Sequence, residues 1–451
     1  MNSKPKVKLG FIGLAAMVFA MVVGAGIFNI PQNMAYAAGP WAVVASWVIT
    51  AVGMLMLVFT FKTLSDARPE LNAGIYLYAQ RGFGSLAGFL AAWGYWLSAA
   101  FANVAYAVML NDAFGTFYPP LLSHGWITVL FGSVLIWAIY GIAVNGMRTA
   151  KLLTTMLAGI KVATILLIIG LMAINFRVGT FSADLWSSAT DFTGLMEQVR
   201  STMLVTLWCF VGIEGATIMS GRAARPRDVG RASVVGFFAA WTLYVLVSLL
   251  CFGCMTRAQL AGLNNPSVAY VLKEICGDWG FYFVIISVII SLLGGWLAWT
   301  LICGEVPYAA AEAGIFPRRF IRLNRHAMPR FGLLVSSIIM QLFLTLVAMA
   351  DNVYLTALSV TGMMILPCYL LSAAYLAKIS TGRQRLLGIC CTVFCCWMIY
   401  AGGLDLLMQT SLFYLLGIGF HLRARVERGQ PMLTPRLAVA IALLLAATLI
   451  Y

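Results

Sequence analysis

The chain has 451 residues, 62% of them hydrophobic and 10% charged, with a net charge of +14. Soluble domains carry about 25% charged residues, and a chain of this size cannot bury helices that are apolar on every side. A water-soluble protein is therefore excluded, and an all-α polytopic membrane protein is predicted.

Apolar runs long enough to span a bilayer, about 20 residues each, fall near 10–36, 40–62, 84–111, 125–145, 152–174, 196–221, 233–255, 279–304, 332–350, 354–378, 386–403 and 406–422. They predict 12 transmembrane helices. A thirteenth segment, 436–450, is short, and spanning or lying against the bundle are both open to it. Lys4, Lys6 and Lys8 precede the first run, but the run reaches about residue 36, too long for a cleavable signal, so it is expected to stay as the first span. With the N-terminus in the cytoplasm, 24 Lys and Arg residues fall in inward connections and 4 in outward ones, leaving Lys161 inside a span. This bias orients the bundle in a cell membrane, plasma or inner, with both ends of the 12-span unit cytoplasmic. It also accounts for the net charge without a nucleic-acid surface, since no aromatic-basic surface lies outside the apolar runs. Trp41, Trp126 and Trp186 fall near predicted interfaces, where amphipathic rings collect.

The first span contains Gly24-Ala25-Gly26-Ile27-Phe28-Asn29-Ile30-Pro31. Two glycines and a following proline break a helix, and inside a membrane such a break is tolerated only where it faces protein, water or a ligand. A second weak point, Gly212-Ile213-Glu214-Gly215, interrupts the sixth span. Paired breaks in corresponding halves point to a transporter's binding site. N–H groups and the positive dipole end at one break suit a carboxylate, and carbonyls freed at the other suit an ammonium. Together they would hold the two ends common to every amino acid.

Charges inside spans are expensive and mark function. Lys161 lies about ten residues from one end of the fifth span, near the limit of snorkelling, and is expected to bond carbonyls freed at a helix break. Glu214 follows the second break directly, placed to attract a cation, gate the path or carry a proton, with capping of unwound amides as the structural alternative. Glu305 lies at the end of its span, where a charge is cheap. Asn103 is a polar residue inside a span, and Trp208 and Trp296 are mid-span indoles whose faces attract cations when desolvated, or simply pack. The ten cysteines form no disulfide or metal framework, no phosphate-binding G-x-x-x-x-G-K-[ST] is present, and the polar connections are too short for a catalytic domain. The chain is thus read as carrying no enzyme activity, no cofactor and no ATP drive.

These stretches resemble the amino acid–polyamine–organocation superfamily, in particular its basic amino acid/polyamine antiporters and their arginine/ornithine branch. The resemblance is carried by Gly24 through Ala35, Arg68-Pro69-Glu70-Leu71, Gly82-Phe83-Gly84, Ala92 through Leu97 with Ala102-Asn103-Val104, Thr206 through Arg222, Asp228-Val229-Gly230, and Gly304 through Pro307 with Ile315-Phe316-Pro317. It implies a five-helix inverted repeat, 10–174 against 196–378, with 386–451 peripheral, and alternating access around one central site. Carried over by position, Gly24, Ala25, Gly26 and Ile27 would bind the substrate carboxylate, and the carbonyls of Trp208, Cys209, Val211 and Gly212 its amino group. Asn103, Trp208 and Trp296 would contact the side chain. Tyr95 and Glu214 match gating positions, and Lys161 matches a lysine that replaces a sodium ion in some branches.

Three departures stand out. Ala25 lies where serine is common. Cys368, after Pro367, stands where relatives carry a gating tyrosine, with Tyr369 expected to point elsewhere on the helix. The thirteenth segment is also unusual. The resulting reading is exchange of an external cationic amino acid, arginine, for internal ornithine. Arginine/agmatine, lysine/cadaverine and histidine/histamine exchange stand beside it, as does a proton-coupled permease; a homodimer is also open.

Overall fold

In the computed structural model the described residues are 10–71, 75–123, 125–145, 147–187, 191–214, 225, 227–349 and 353–449. Among them the chain forms only helices. In order these are α1 (Phe11–Val22), α2 (Ile30–Ala37), α3 (Pro40–Ala67), α4 (Tyr76–Phe83), α5 (Ser85–Gly115), α6 (Trp126–Val144), α7 (Met147–Ile174), α8 (Val178–Ser182) and α9 (Phe192–Cys209). They continue with α10 (Arg227–Cys254), α11 (Arg257–Ala261), α12 (Ser267–Cys276), α13 (Asp278–Glu312), α14 (Arg330–Val347), α15 (Val353–Ile379), α16 (Gly382–Gly402), α17 (Leu404–Val426) and α18 (Pro435–Leu449). Each of the 12 predicted runs carries a helix, and the thirteenth is α18. Eight of the helices are long and apolar enough to cross a membrane one by one: α3, α5, α6, α10, α13, α14, α15 and α16. α18 packs along α17, with Ser411 and Thr448 hydroxyls 2.8 Å apart. Between α9 and α10, residues 215–224 and 226, among them Gly215 and Arg222, lie outside the described residues.

The first span stops being α-helical where the glycines stand. α1 ends at Val22, Gly24 is extended (φ −96°, ψ −153°), a single 3₁₀ turn covers Ala25–Phe28, and α2 restarts at Ile30 with Pro31 in its first turn. Proline is suited to that place because the first N–H groups of a helix have no intrahelical partner. The sixth span breaks after Cys209, and Gly212 takes φ +108°, a conformation glycine reaches without strain.

Packing follows a pattern that recurs five spans later. α1 packs on α10 while α9 packs on α3, and α5 packs on α15 while α13 packs on α7. The α3–α9 seam is polar: Ser46 pairs with Thr202 and Thr50 with Thr206, each at 2.7 Å, and Trp47 Nε1 donates to Ser248 Oγ of α10 at 3.0 Å. In an apolar medium such bonds each contribute about 0.6 kcal/mol. Their larger effect is to set the register of α9 against α3.

Among the described residues four short helices, α4, α8, α11 and α12, lie outside the predicted runs. α12 lies in the connection after α10, where its Ser267 hydroxyl accepts the Gln32 N–H at 3.2 Å and donates to the Phe28 carbonyl at 3.4 Å. It thereby satisfies backbone groups at the start of α2. The apolar pattern Val268, Ala269, Val271, Leu272, all buried, was the available signal. α4, in the connection between α3 and α5, closes at Gly84 with φ +94°.

Candidate functional site

The two breaks face each other in the bundle centre. A Cβ on Gly26 would overlap Cζ3 of Trp208, so the indole rests directly on the backbone of the first break. A Cβ on Gly212 would come within 3.0 Å of the Met21 carbonyl oxygen at the end of α1. Only glycine lets the breaks approach this closely.

Between them lies a cavity lined by Gly24, Gly26, Trp208, Cys209 and Val211 from the breaks, by Ala102 and Tyr106 of α5, and by Tyr244 and Trp299. A water-sized sphere has about 20 Å³ of free space there, room for one water. An amino acid enters this cavity only when the aromatic walls shift.

Backbone groups released by the first break find side-chain partners. The Lys161 ammonium donates to the Val23 carbonyl, and the Tyr244 hydroxyl donates to the Val22 carbonyl at 2.8 Å while accepting the Gly24 N–H at 3.4 Å. Lys161 is 5% exposed, so the end of its side chain is buried from α7 against the end of α1.

Glu214 is fully buried and held on three sides. Tyr95 Oη donates to Oε1 at 2.7 Å, Tyr369 Oη donates to Oε2 at 2.8 Å, and the Gly212 N–H donates to Oε2 at 3.2 Å. The cluster joins α5, the second break and α15. It lies toward the end of the bundle where α1 begins, the end to which the sequence assigns most of the basic residues and called the basic face below.

Several expected site residues are placed otherwise. Trp296 is fully buried with its Nε1 unpartnered and does not line the cavity; the indole that does is Trp299, about one turn further along α13. Ile27 points away, into an apolar crevice with Phe28, Ile165, Ile168, Val247 and Val268. Asn103 sits beside the cavity-lining Ala102, its amide donating to Cys303 Sγ at 3.6 Å and its Oδ1 buried without a partner. The expectation for Tyr369 was wrong. A one-residue step turns a helix by about 100°, and it is Tyr369, not Cys368, that meets Glu214. Glu305 is exposed and off the cavity. Of Ala25, only the backbone is described. Tyr106, Tyr244 and Trp299 were missed, because in long apolar runs nothing singles out one aromatic among many.

A bundle of membrane-length helices, with two broken spans around a central cavity and a buried, hydrogen-bonded carboxylate beside it, defines a secondary transporter. The amino acid permease family model matches residues 9–446, and the chain belongs to that family. It is 41% identical over 442 residues to the arginine/agmatine antiporter of Chlamydia abortus, covering 94% of this chain and 91% of that one. The arginine/agmatine antiporter of Chlamydia pneumoniae is similar to the same extent. A putative amino-acid transporter of Clostridium perfringens is 39% identical, covering 93% and 92%.

Proposed function

We propose that the protein is an antiporter that exchanges external arginine for internal agmatine. The observation that carries this reading is 41% identity, over nearly the whole of both chains, to proteins named arginine/agmatine antiporters. It favours agmatine over ornithine as the counter-substrate, and the reading departs there from the sequence-based preference.

The site fits the chemistry. The 3₁₀ turn after Gly24 offers backbone N–H groups to a carboxylate, and the carbonyls near Trp208 and Val211 offer acceptors to an α-ammonium. Trp208 and Trp299 supply indole faces for a guanidinium, an attraction of about 1–2 kcal/mol when desolvated. Agmatine lacks the carboxylate and keeps the guanidinium, so the aromatic half of the site serves both substrates.

The Tyr95–Glu214–Tyr369 cluster acts as the latch that closes the basic face. Opening that side requires these bonds to part, and the bound substrate supplies the energy. The Lys161 ammonium occupies the place where a sodium ion would otherwise meet the freed Val23 carbonyl, so exchange runs without sodium. The moving units are the two repeats, 10–174 and 196–378. The distribution of 24 basic residues against 4 supports a cytoplasmic basic face and N-terminus. As monomer or homodimer, each chain encloses its own substrate cavity.

Titration of the purified protein, followed by the fluorescence of its indoles, tests the substrate class. Arginine and agmatine are expected to compete for one site, with lysine and histidine at least tenfold weaker. Tighter binding of lysine or histidine would overturn the assignment.

A further inference from the structure

On the far side of the central cavity from Glu214, three polar residues from three elements meet. Asn29 follows the first break and is 0% exposed, with both amide atoms lacking a hydrogen-bond partner. Tyr354, in the first turn of α15, is 2% exposed with its hydroxyl unpartnered. Asp112, near the outer end of α5, is 7% exposed. The Asn29 amide faces the Tyr354 hydroxyl, and the Asp112 carboxylate lies within its electrostatic reach. Tyr354 in turn meets the Trp208 ring edge-on at 6.0 Å, so the group forms the layer immediately outside the indole that covers Gly26.

Buried amides and hydroxyls are nearly always hydrogen-bonded, and each one left unmade is costly. An amide just before α2 and a hydroxyl on α15, side by side near a carboxylate, keep bonding capacity that a polar ligand would take up. Asn29 and Tyr354 supply donors and acceptors, and Asp112 supplies negative charge. Asp112 lies six residues beyond the cavity-lining Tyr106, about 9 Å along the helix, close to the length of an extended arginine side chain. The Asn111 amide, which approaches Asp112 Oδ1 at 3.5 Å and donates to the Leu121 carbonyl at 2.9 Å, steadies the helix end there.

We propose that Asp112, Asn29 and Tyr354 form an outer subsite that takes the cationic head of the substrate, guanidinium or ammonium, on its way between the face opposite the basic one and the central cavity. This rests on the reading of the substrate as a cationic amino acid. The subsite concentrates cations at the mouth of the path and disfavours neutral and acidic amino acids before Trp208 yields. Its occupancy also relieves the unpartnered Asn29 and Tyr354.

The test is arginine exchange in vesicles of a single protein orientation, with labelled arginine supplied to either face of wild type, Asp112→Asn, Asp112→Glu and Tyr354→Phe. Asp112→Asn is expected to raise the KM at least fivefold from the face opposite the basic one, leaving the KM from the basic face and the maximal rate unchanged. Asp112→Glu restores much of the loss, and Tyr354→Phe raises the same KM two- to threefold. An unchanged KM, or an equal rise from both faces, overturns the subsite; so does a fall in maximal rate alone, the mark of a structural role. If Asp112→Asn does not reach the membrane, the Tyr354→Phe result decides by the same criterion. Wild-type vesicles that exchange no arginine overturn the substrate reading itself, an outcome distinct from wild-type exchange with an unaltered variant KM.

Discussion

Tyr369 of α15 donates to Glu214 Oε2 at 2.8 Å while Tyr95 of α5 holds the other carboxylate oxygen. A hydrogen bond to a charged, buried group contributes about 1.5–3 kcal/mol, so loss of one phenol shifts the closed-to-open balance of the basic face roughly tenfold or more. Tyr369→Phe is therefore expected to raise the labelling rate of Cys209, which lines the cavity, by about tenfold when a membrane-impermeant maleimide is supplied from the basic face. Peptide mass spectrometry identifies Cys209 among the ten cysteines. A rate equal to wild type would remove Tyr369 from the latch.

The contact of Trp208 with Gly26 leaves no room for a methyl group. Gly26→Ala forces the indole aside, an overpacking cost of about 1–3 kcal/mol, and lowers arginine affinity at least tenfold in the fluorescence titration. Gly10→Ala, where a Cβ meets nothing within 4 Å, leaves affinity unchanged and controls for glycine replacement as such.

Trp299 and Trp296 lie about one turn apart on α13 but differ in role. Trp299→Ala removes a cavity wall and is expected to weaken arginine about 5- to 30-fold, on the scale of a cation–π contact, relative to a neutral isostere such as citrulline. Trp296→Ala leaves a void in packed protein, costs about 3–5 kcal/mol of stability, and lowers the melting temperature without changing that ratio. The reverse pattern would return Trp296 to the site.

Lys161 satisfies the Val23 carbonyl where α1 ends. Lys161→Met leaves that buried acceptor unmade, at about 1–3 kcal/mol, and is expected to cut exchange at least tenfold. Sodium is expected to leave the wild-type rate unaffected. Full exchange by the variant, or a wild-type rate that rises with sodium, would contradict the role assigned to the ammonium.

Much of the fold was legible because lipid imposes a simple rule on sequence. Apolar runs of span length mark helices, and basic residues mark one side. Gly24, Gly26, Pro31 and Gly212 announced the two breaks because glycine and proline have few other reasons to cluster inside a span. Lys161 and Glu214 were visible as charges out of place. The residues that close around the breaks were harder to read. Trp299 stands beside Trp296 in a run where either could face inward, and only the rotation of α13 decides between them. Tyr369 and Cys368 pose the same problem on α15, where an error of one position turns a side chain through about 100°. Asp112 gave no sign, since a carboxylate near a helix end reads as ordinary until its burial is known. Asn29 was hidden within the break motif itself.

The most direct test of the account is uptake of labelled arginine into vesicles loaded with agmatine, with ornithine, with arginine or with buffer alone. The account predicts rapid uptake against internal agmatine or arginine, slower uptake against ornithine, and almost none into vesicles holding buffer. Robust uptake into buffer-loaded vesicles driven by a proton gradient would contradict it and make the protein a proton-coupled permease.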